Sequence, residues 1–330
     1  MTKRLSVLRQ ASDRKSADWR AAAPALVEDV LRGLHSTPKR LSPTYLYDER
    51  GSQLFDQICE LPEYYPTRTE TAILAANAAD IASCIGDNAL LVELGSGAST
   101  KTRLLLDRLP NLAGYVPVDI SRSHLMAAAQ RISAAYPRLE VLPACADFTQ
   151  TFPLPKPTRA PARVVVFFPG STIGNFDTPA AIDLLKVTRR MAGTDGALVI
   201  GFDLVKNPAV LERAYDDSAG VTAAFNLNVL RRLNRELGAN FDLRHFRHQA
   251  LWVPAASRIE MHLVSTIGQE VAIAGEVLSF AENEHLITEH CHKYTPASFA
   301  AQAGAAGWKA ERTWSDEQNY FNVQYLDQRP

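Results

Sequence analysis

The sequence predicts a doubly wound α/β fold, and two observations lead to that prediction. Between residues 89 and 204, five short apolar runs alternate with helix-like stretches. The runs are apolar along their whole length, as expected for parallel strands that helices cover on both faces of a sheet. Right-handed helical crossovers between such strands produce a doubly wound sheet, with a ligand crevice at the carboxyl ends of its strands.

The strands of this core can be placed in order along the chain. The first run is closed by a glycine, and the fourth is the richest in β-branched and aromatic residues. A helix is predicted over residues 178–193, just before the fifth run. The predicted strands are ALLVELG (89–95), GYVPVDIS (114–121), LEVLPACADF (139–148), RVVVFFPG (163–170) and GALVIGFDL (196–204).

After residue 204 the regular alternation stops. Helices are predicted within 207–238, because Asn-Pro-Ala is a typical helix start and Gly238 a typical helix end. Strand-like runs follow at 257–266, 270–280 and 284–294, and the chain closes with a helix and two strands within 295–327.

This pattern divides the chain into four segments. We expect residues 69–204 and 294–330 to form the core, with 205–293 as an insertion in it. The N-terminal residues 1–68 precede the first core strand and are free to join the insertion in a second lobe. A chain of 330 residues is also too long for one ordinary hydrophobic core, which favours two lobes.

Composition and charge exclude several classes of protein. Hydrophobic residues make up 46% of the chain and the net charge is −1, so neither a disordered chain nor a nucleic-acid or membrane-surface binder is expected. The N-terminal 20 residues are polar and lack the apolar run of a signal peptide or membrane helix. We expect a partly ordered leader on a soluble, cytoplasmic protein that needs no obligate protein partner. The four cysteines form no CxxC pair and are expected to be free thiols.

Three successive predicted strands end in residues suited to binding a nucleoside. Gly95 and Gly97 end the first strand and let the backbone approach a ligand closely. Asp119 ends the second strand, where its carboxylate could accept both ribose hydroxyl protons. Asp147 and Phe148 end the third, where they could bind an adenine amino group and cover the ring.

Each of these features has a simpler interpretation. A lone Gly-x-Gly after a strand is often only a tight turn, and aspartates at strand ends are often helix caps or turn formers. The three features in order on successive strands are more specific. A dinucleotide-binding loop would carry a third glycine where this chain has Thr100, so a cofactor without a pyrophosphate fits better.

Several longer strings resemble the histidine Nα-methyltransferases of ergothioneine biosynthesis. The resemblance covers residues 25–330 and includes the predicted insertion. It implies a Rossmann-like methyltransferase core that binds S-adenosylmethionine, and a second lobe that helps to bind a small-molecule amino acid. It also implies threefold methylation of the α-amino group of L-histidine to hercynine. The strings are LYDERGSQLFDQICELPEYYPTRTE, VELGSGASTKTRLLLD, FPGSTIGNF, GFDLVKNPAVLERAYDDSAGVTAAFNLNVLRRLNRELGANFD, SRIEMHL and ITEHCHKYTP.

The resemblance assigns functional positions residue by residue. Two of the substrate residues, Asn175 and Tyr47, are also expected to be catalytic residues. Met261 is expected beside the imidazole ring, and Glu289 is expected to bind it. The implied cofactor residues are Gly95, Gly97, Lys101, Asp119, Asp147, Phe148 and Gly170, and the implied substrate residues are Tyr47, Tyr64, Asn175, Tyr215, Met261, Glu289 and Cys291.

Cys291 departs from the pattern of the family. Well-known bacterial members carry a serine there that also bonds the imidazole, and a thiol is a weaker donor and acceptor than a hydroxyl. A related fungal branch methylates prenylated tryptophan, so another aromatic amino acid is an alternative substrate. A non-catalytic cofactor-binding protein is a second alternative.

The expected chemistry is an in-line transfer of a methyl group from a sulfonium to a neutral amine. Tyr64 and Tyr215 could bind the substrate carboxylate without a nearby lysine or arginine, and the Asn175 side-chain oxygen could accept from the amine. Asn175 could instead cap the following helix. If Tyr64 and Tyr65 are extended, only one of them can face a given pocket.

The histidines near Glu289 suggest either a metal site or a solvated polar face. Of these two interpretations we favour the polar face, and we expect no metal. Strand alternation would turn His290 and His292 away from the side that carries Cys291.

Overall fold

The computed structural model describes residues 18–97 and 99–328, so most of the expected leader lies outside the described residues. Numbered along the described chain, the strands are β1 Lys39–Arg40, β2 Ala89–Leu94, β3 Gly114–Asp119, β4 Ala144–Cys145, β5 Arg163–Phe168, β6 Ala197–Asp203, β7 Phe246–Val253, β8 Arg258–Ser265, β9 Gln269–Ile273, β10 Glu276–Phe280, β11 His285–His292, β12 Lys309–Ser315 and β13 Phe321–Asp327. The α-helices are α1 Asp18–His35, α2 Glu49–Glu60, α3 Tyr65–Ile85, α4 Thr100–Leu106, α5 Arg122–Ala135, α6 Thr178–Ala192, α7 Pro208–Tyr215, α8 Val221–Leu237 and α9 Pro296–Ala305.

The larger sheet has seven strands in the order β12-β13-β6-β5-β2-β3-β4. The five strands from β2 to β6 pair in parallel, and β13 runs antiparallel between β6 and β12. The chain steps outward from β2 to β4 and then returns to β5 on the other side of β2. The strand order reverses at this point, and a ligand crevice is expected there. The predicted doubly wound, Rossmann-like core is confirmed.

Helices cover both faces of this sheet. One apolar core joins the sheet to α6 and α9, and in it the rings of Phe202 and Phe299 stack with their centroids 3.9 Å apart. The core on the opposite face contains side chains of α3, α4 and α5, among them Leu74, Leu105 and Ile132. Burial on both sides explains why the central strands are apolar along their whole length.

A third hydrophobic core lies around a four-stranded sheet in the order β1-β11-β8-β7. It combines side chains of α1 and α2 with those of α7, α8 and the hairpin β9–β10. The predicted boundary between residues 68 and 69 lies inside α3, a helix that packs against the larger sheet. The division of the chain into core and second lobe therefore remains a proposal.

Two predicted strands differ from the structure. The run at 139–148 forms only the two-residue strand β4, because Pro143 has no N–H to donate and the strand lies at the sheet edge. The run at 270–280 is a hairpin that turns at Ala274 and Gly275, both of which have positive φ. Strand β7 was not predicted, because its polar residues interrupt the alternation of apolar and polar residues that is typical of a strand.

The helix start and the helix end predicted in the insertion are confirmed. The Asn207 side chain accepts from the Ala209 N–H at 2.9 Å and caps α7, and Pro208 follows at the first helical position. Gly238 ends α8 in the left-handed conformation, with φ +61°. The final helix and the two final strands also form as predicted.

The four cysteines are free thiols in the structure. Cys291 is buried, and the other three are partly buried. None of the helices within 18–97 and 99–328 combines the length and the apolar character that crossing a membrane requires.

Candidate active site

The loop after β2 is tied to the end of β3 by hydrogen bonds from its backbone N–H groups. The Ser96 N–H donates to the Val118 carbonyl at 3.1 Å, and the Gly97 N–H donates to Asp119 Oδ2 at 3.2 Å. Gly95 and Gly97 have φ of +65° and +47°, a region that strongly favours glycine. A Cβ on Gly95 would stand 3.7 Å from the Phe148 ring, in the space between loop and ring. The glycine therefore keeps the loop close to the ring with no side chain between them.

Both predicted nucleoside-binding aspartates also form turns. Asp119 Oδ1 accepts the Ser121 N–H at 2.8 Å, and Asp147 Oδ1 accepts the Thr149 N–H at 2.9 Å. Both aspartates are therefore turn formers, as the simpler interpretation of the sequence suggested. A carboxylate has about four acceptor positions, so each can still accept hydrogen bonds from a ligand.

A buried glutamate organises the neighbouring edge of the site. The Glu70 side chain is fully buried and accepts the Gly170 N–H through both oxygens, at 3.0 and 2.9 Å. It also forms an ion pair with Lys101, one of the predicted cofactor residues. Sequence reasoning missed Glu70, although it ends one of the strings that carry the family resemblance.

Thirteen of the fourteen predicted site residues line one cavity of about 660 Å³. Lys101 is the exception, and its ion pair with Glu70 places it next to the lining residue Gly170. The lining residues are Tyr47, Tyr64, Gly95, Gly97, Asp119, Asp147, Phe148, Gly170, Asn175, Tyr215, Met261, Glu289 and Cys291. The strand ends of the core and the side chains of the second sheet therefore face the same space.

Glu289 lies at the end of the cavity formed by the second sheet. Its Oε1 accepts from Asn175 Nδ2 at 3.2 Å and from the Tyr47 hydroxyl at 3.5 Å. Burial raises the pKa of Glu289 to about 7, although Lys293 and these two hydrogen bonds act to lower it. The hydrogen bond from its hydroxyl places Tyr47, a predicted catalytic residue, beside this carboxylate.

Asn175 reaches Glu289 because a short 3-10 helix, Thr172–Asn175, packs directly on β11. A Cβ on Gly174 would stand 2.8 Å from Cys291 Sγ, so a larger residue would push this helix away. Asn175 does not cap α6, because Asp177 accepts the Ala180 N–H at 3.0 Å and occupies that position. The capping interpretation of Asn175 is wrong.

Tyr64 and Tyr215 face each other in the cavity, with ring centroids 6.0 Å apart and an edge-to-face arrangement. Burial raises the pKa of both phenols well above the ordinary value, so both remain protonated donors at neutral pH. Tyr65 points elsewhere, and its hydroxyl donates to Asp203 Oδ2 at 2.6 Å. The expected divergence of the two adjacent tyrosines is confirmed.

A lysine lies beside the tyrosine pair, contrary to the expectation from sequence. Lys293 is fully buried, and its ammonium donates to the Tyr215 hydroxyl at 2.9 Å. It also forms an ion pair with Asp203 at 2.8 Å. Residues two apart lie on the same face of a strand. The alternation that places Glu289 and Cys291 on one face therefore also places Lys293 there, and this signal could have predicted the lysine.

Cys291 and Met261 border the same region. Cys291 Sγ accepts from Lys293 at 3.4 Å and approaches the Ser171 carbonyl oxygen at 3.9 Å. Met261 pairs with Glu289 across the β8–β11 ladder. An apolar wall is thereby placed beside the carboxylate.

The histidines of β11 lie away from the cavity. His290 and His292 pack against each other with ring centroids 5.3 Å apart, and neither lines the cavity. Burial lowers the pKa of His290 to about 4, so its imidazole is neutral at neutral pH. Among residues 18–97 and 99–328, no group of three His, Cys, Asp or Glu side chains is placed to hold a metal ion.

Comparison with known proteins assigns this arrangement to a family. The profile of the histidine-specific, S-adenosylmethionine-dependent methyltransferases matches residues 26–328. The chain belongs to this family. The enzyme therefore uses S-adenosylmethionine, and the glycine loop and strand-end carboxylates described above fit that cofactor.

Its relatives include two mycobacterial proteins named histidine N-alpha-methyltransferase. The one from Mycolicibacterium smegmatis is 43% identical over 92% of this chain and 95% of its own length. The one from Mycobacterium tuberculosis is 44% identical over 91% and 94%. Ergothioneine biosynthesis protein 1 of Neurospora crassa is 34% identical over 68% of this chain and 28% of its own length.

Proposed function

We propose that this enzyme transfers three methyl groups from S-adenosylmethionine to the α-nitrogen of L-histidine and so forms hercynine for ergothioneine biosynthesis. One observation carries the proposal. A single cavity joins the glycine loop and carboxylates of the core to Glu289 of the second sheet and to the pair Tyr64 and Tyr215. A methyl donor and an amino acid can therefore meet within it.

Four side chains and a backbone loop would hold the cofactor. Asp119 would accept from the ribose hydroxyls, and Asp147 from the adenine amino group. Phe148, which lines the cavity, would cover the adenine ring. Lys101, held by Glu70, would bind the carboxylate of the methionine portion. The bound cofactor supplies the methyl group.

Glu289 would bind the imidazole of histidine. A buried carboxylate with a pKa of about 7 can accept from a neutral imidazole N–H or share a proton with the ring. Met261 would pack beside the ring. A site that pairs an N–H with a buried acceptor rejects substrates that leave the acceptor unpaired.

Asn175 would orient the reacting amine. Its Nδ2 is used in the hydrogen bond to Glu289, so Oδ1 is the atom left to accept from the amine N–H. The amine must be neutral to react, and it can lose its proton to water before or during binding. The faces of Tyr64 and Tyr215 suit the trimethylammonium that the third transfer creates.

Cys291 favours a second candidate, in which the same chemistry acts on another aromatic amino acid. The Cys291 thiol contacts Lys293 and makes a weaker second contact to an imidazole than a serine would. In either case the substrate is a small amino acid, and we propose that no nucleic acid or protein partner is required.

Mass spectrometry of products from purified enzyme, S-adenosylmethionine and a panel of amino acids tests both candidates. Conversion of histidine through one and two methylations to a trimethylated betaine supports the proposal. Faster methylation of tryptophan than of histidine would favour the second candidate. A control reaction with Nα-trimethylated histidine should yield no further product if the α-nitrogen is the acceptor.

A further inference from the structure

Lys293 is a buried cation that contacts Tyr215, a proposed partner of the substrate carboxylate, and its surroundings use all of its donors. An ammonium has three N–H donors and no acceptor. Within the described chain, those donors meet Asp203 at 2.8 Å, Tyr215 at 2.9 Å and Cys291 at 3.4 Å. Two of these partners, Tyr215 and Cys291, line the cavity.

Asp203 keeps Lys293 charged. Burial alone would lower the pKa of Lys293, but the adjacent carboxylate holds it well above the ordinary value. Asp203 also bonds Lys206 and the Tyr65 hydroxyl, and this contact set lies away from the cavity. Asp203 therefore holds Lys293 on the side away from the cavity, and the other two N–H donors of Lys293 bond the cavity residues Tyr215 and Cys291.

The direction of the Tyr215 hydroxyl follows from this contact. A phenol has one hydrogen, and an ammonium can only donate. The Tyr215 oxygen must therefore accept from Lys293, which leaves its hydrogen to point to another acceptor. A hydroxyl that accepts from a cation is also a stronger donor, because the bond polarises it.

We propose that Lys293 is a positioning residue for the α-carboxylate of the substrate. It holds Tyr215 as a donor toward that carboxylate and so makes the enzyme select amino acids over the corresponding amines. The inference rests on the proposed function, since it assumes that the substrate carboxylate lies against Tyr64 and Tyr215.

Calorimetry with matched pairs of ligands tests the inference. Histidine and histamine, and tryptophan and tryptamine, would be titrated into full-length enzyme saturated with S-adenosylhomocysteine. Lys293→Met should weaken binding of the preferred amino acid by about tenfold or more, as expected for loss of a bond to a charged group. Binding of its amine should change less than about twofold.

Lys206→Met is the matched control, because it removes the other ammonium from Asp203 without touching Tyr215. It should change the ratio of amino-acid to amine affinity by less than about threefold, because Lys206 contacts neither Tyr215 nor Cys291 and Asp203 remains to hold Lys293. An equal effect of the two substitutions, or an equal loss for amino acid and amine, would overturn the inference.

A double-mutant cycle separates positioning from a general structural role. In a Tyr215→Phe background, Lys293→Met should cost little further affinity if Lys293 acts through the hydroxyl. Additive losses would contradict that route. If Lys293→Met is unstable, Lys293→Gln provides a neutral donor, and S-adenosylhomocysteine affinity reports whether the core is intact.

Failure of the proposed function would look different. Wild-type enzyme that prefers tryptophan would refute histidine as the substrate, and the tryptophan–tryptamine pair would still test Lys293. Wild-type enzyme that binds histidine tightly while Lys293→Met has no effect would refute only the inference.

Discussion

The side-chain amide of Asn175 donates to Glu289 Oε1 across 3.2 Å and so joins the two proposed ends of the amino-acid site. One residue would orient the reacting amine and the other would bind the imidazole. Because the amide nitrogen is held by Glu289, the amide oxygen is left for the amine. Loss of Glu289 should therefore disturb both recognition and alignment.

Glu289→Ala should reduce kcat/KM for histidine by two or more decades, on the order of 3 kcal/mol. The substitution removes the partner of the imidazole and the hydrogen bond that holds Asn175. Steady-state kinetics with histidine and tryptophan as paired substrates would measure this. Glu289→Gln is the control, since it keeps an oxygen that can accept from Asn175. Histidine activity that survives Glu289→Ala would defeat the imidazole assignment.

Cys291→Ser should maintain or raise turnover of histidine. A hydroxyl can replace the thiol contact with Lys293 and is the better partner for an imidazole. If the wild type prefers another amino acid, the same substitution should shift preference toward histidine. The ratio of kcat/KM for histidine and tryptophan, compared with wild type, is the measurement, and a shift toward tryptophan would contradict the prediction.

Asp119→Ala should weaken S-adenosylmethionine binding by roughly 2 kcal/mol or more. The carboxylate would bond the ribose and also holds the N–H groups of Gly97 and Ser121. Calorimetry would measure the loss, and Asp119→Asn would show how much of it depends on the charge. Unchanged affinity in the alanine variant would refute the placement of the ribose.

Tyr64→Phe and Tyr215→Phe should each raise the KM for the amino acid by roughly tenfold, on the scale of one hydrogen bond to a carboxylate. Cofactor affinity should change little, because both rings lie at the substrate end of the cavity. The carboxylate does not react, so kcat should fall less than KM rises. A large loss confined to kcat would mean that one hydroxyl acts on the amine.

Stability should depend on pH through Glu289. Its pKa rises from 4.5 to about 7 on folding because burial disfavours the charged carboxylate. The stability contributed by the protonated group is fully present below pH 4.5 and is lost as the pH rises through about 7. Glu289→Gln cannot ionise and avoids this loss.

Denaturant unfolding of wild type and Glu289→Gln at several pH values would measure the effect. From pH 4.5 to 8 the variant should gain about 3 kcal/mol of unfolding free energy relative to wild type. Glu93, whose pKa burial also raises to about 7, is present in both proteins and cancels in the difference. Parallel stability curves would contradict the assignment.

Much of the site could be predicted because its residues occupy definable positions on strands. The carboxyl ends of parallel strands converge, so the sequence predicts that Gly95, Asp119 and Asp147 lie together. Alternation along β11 placed Glu289 and Cys291 on one face. The assignment of each residue to imidazole, amine or carboxylate came from family resemblance and remains a proposal.

The buried polar partners could not be predicted in this way. Glu70 and Gly170 are 100 residues apart, and Lys293 and Tyr215 are 78 apart. The periodicity of a strand or helix does not relate residues so far apart in sequence. Lysine is also a residue type that is usually exposed, so burial of Lys293 was not expected.

The sequence by itself determined most strands and helices of the core and the residues that end its parallel strands. Strand and helix periods, the cap at Asn207 and the stop at Gly238 act over a few residues, so they can be read locally. Only the tertiary structure decided that Lys293 lies against Tyr215 and that Asn175 faces Glu289. Those contacts depend on how the second sheet packs on the core. Because burial of a polar group without a hydrogen-bond partner lowers the stability of the fold, each of these buried groups is stabilised by its partner.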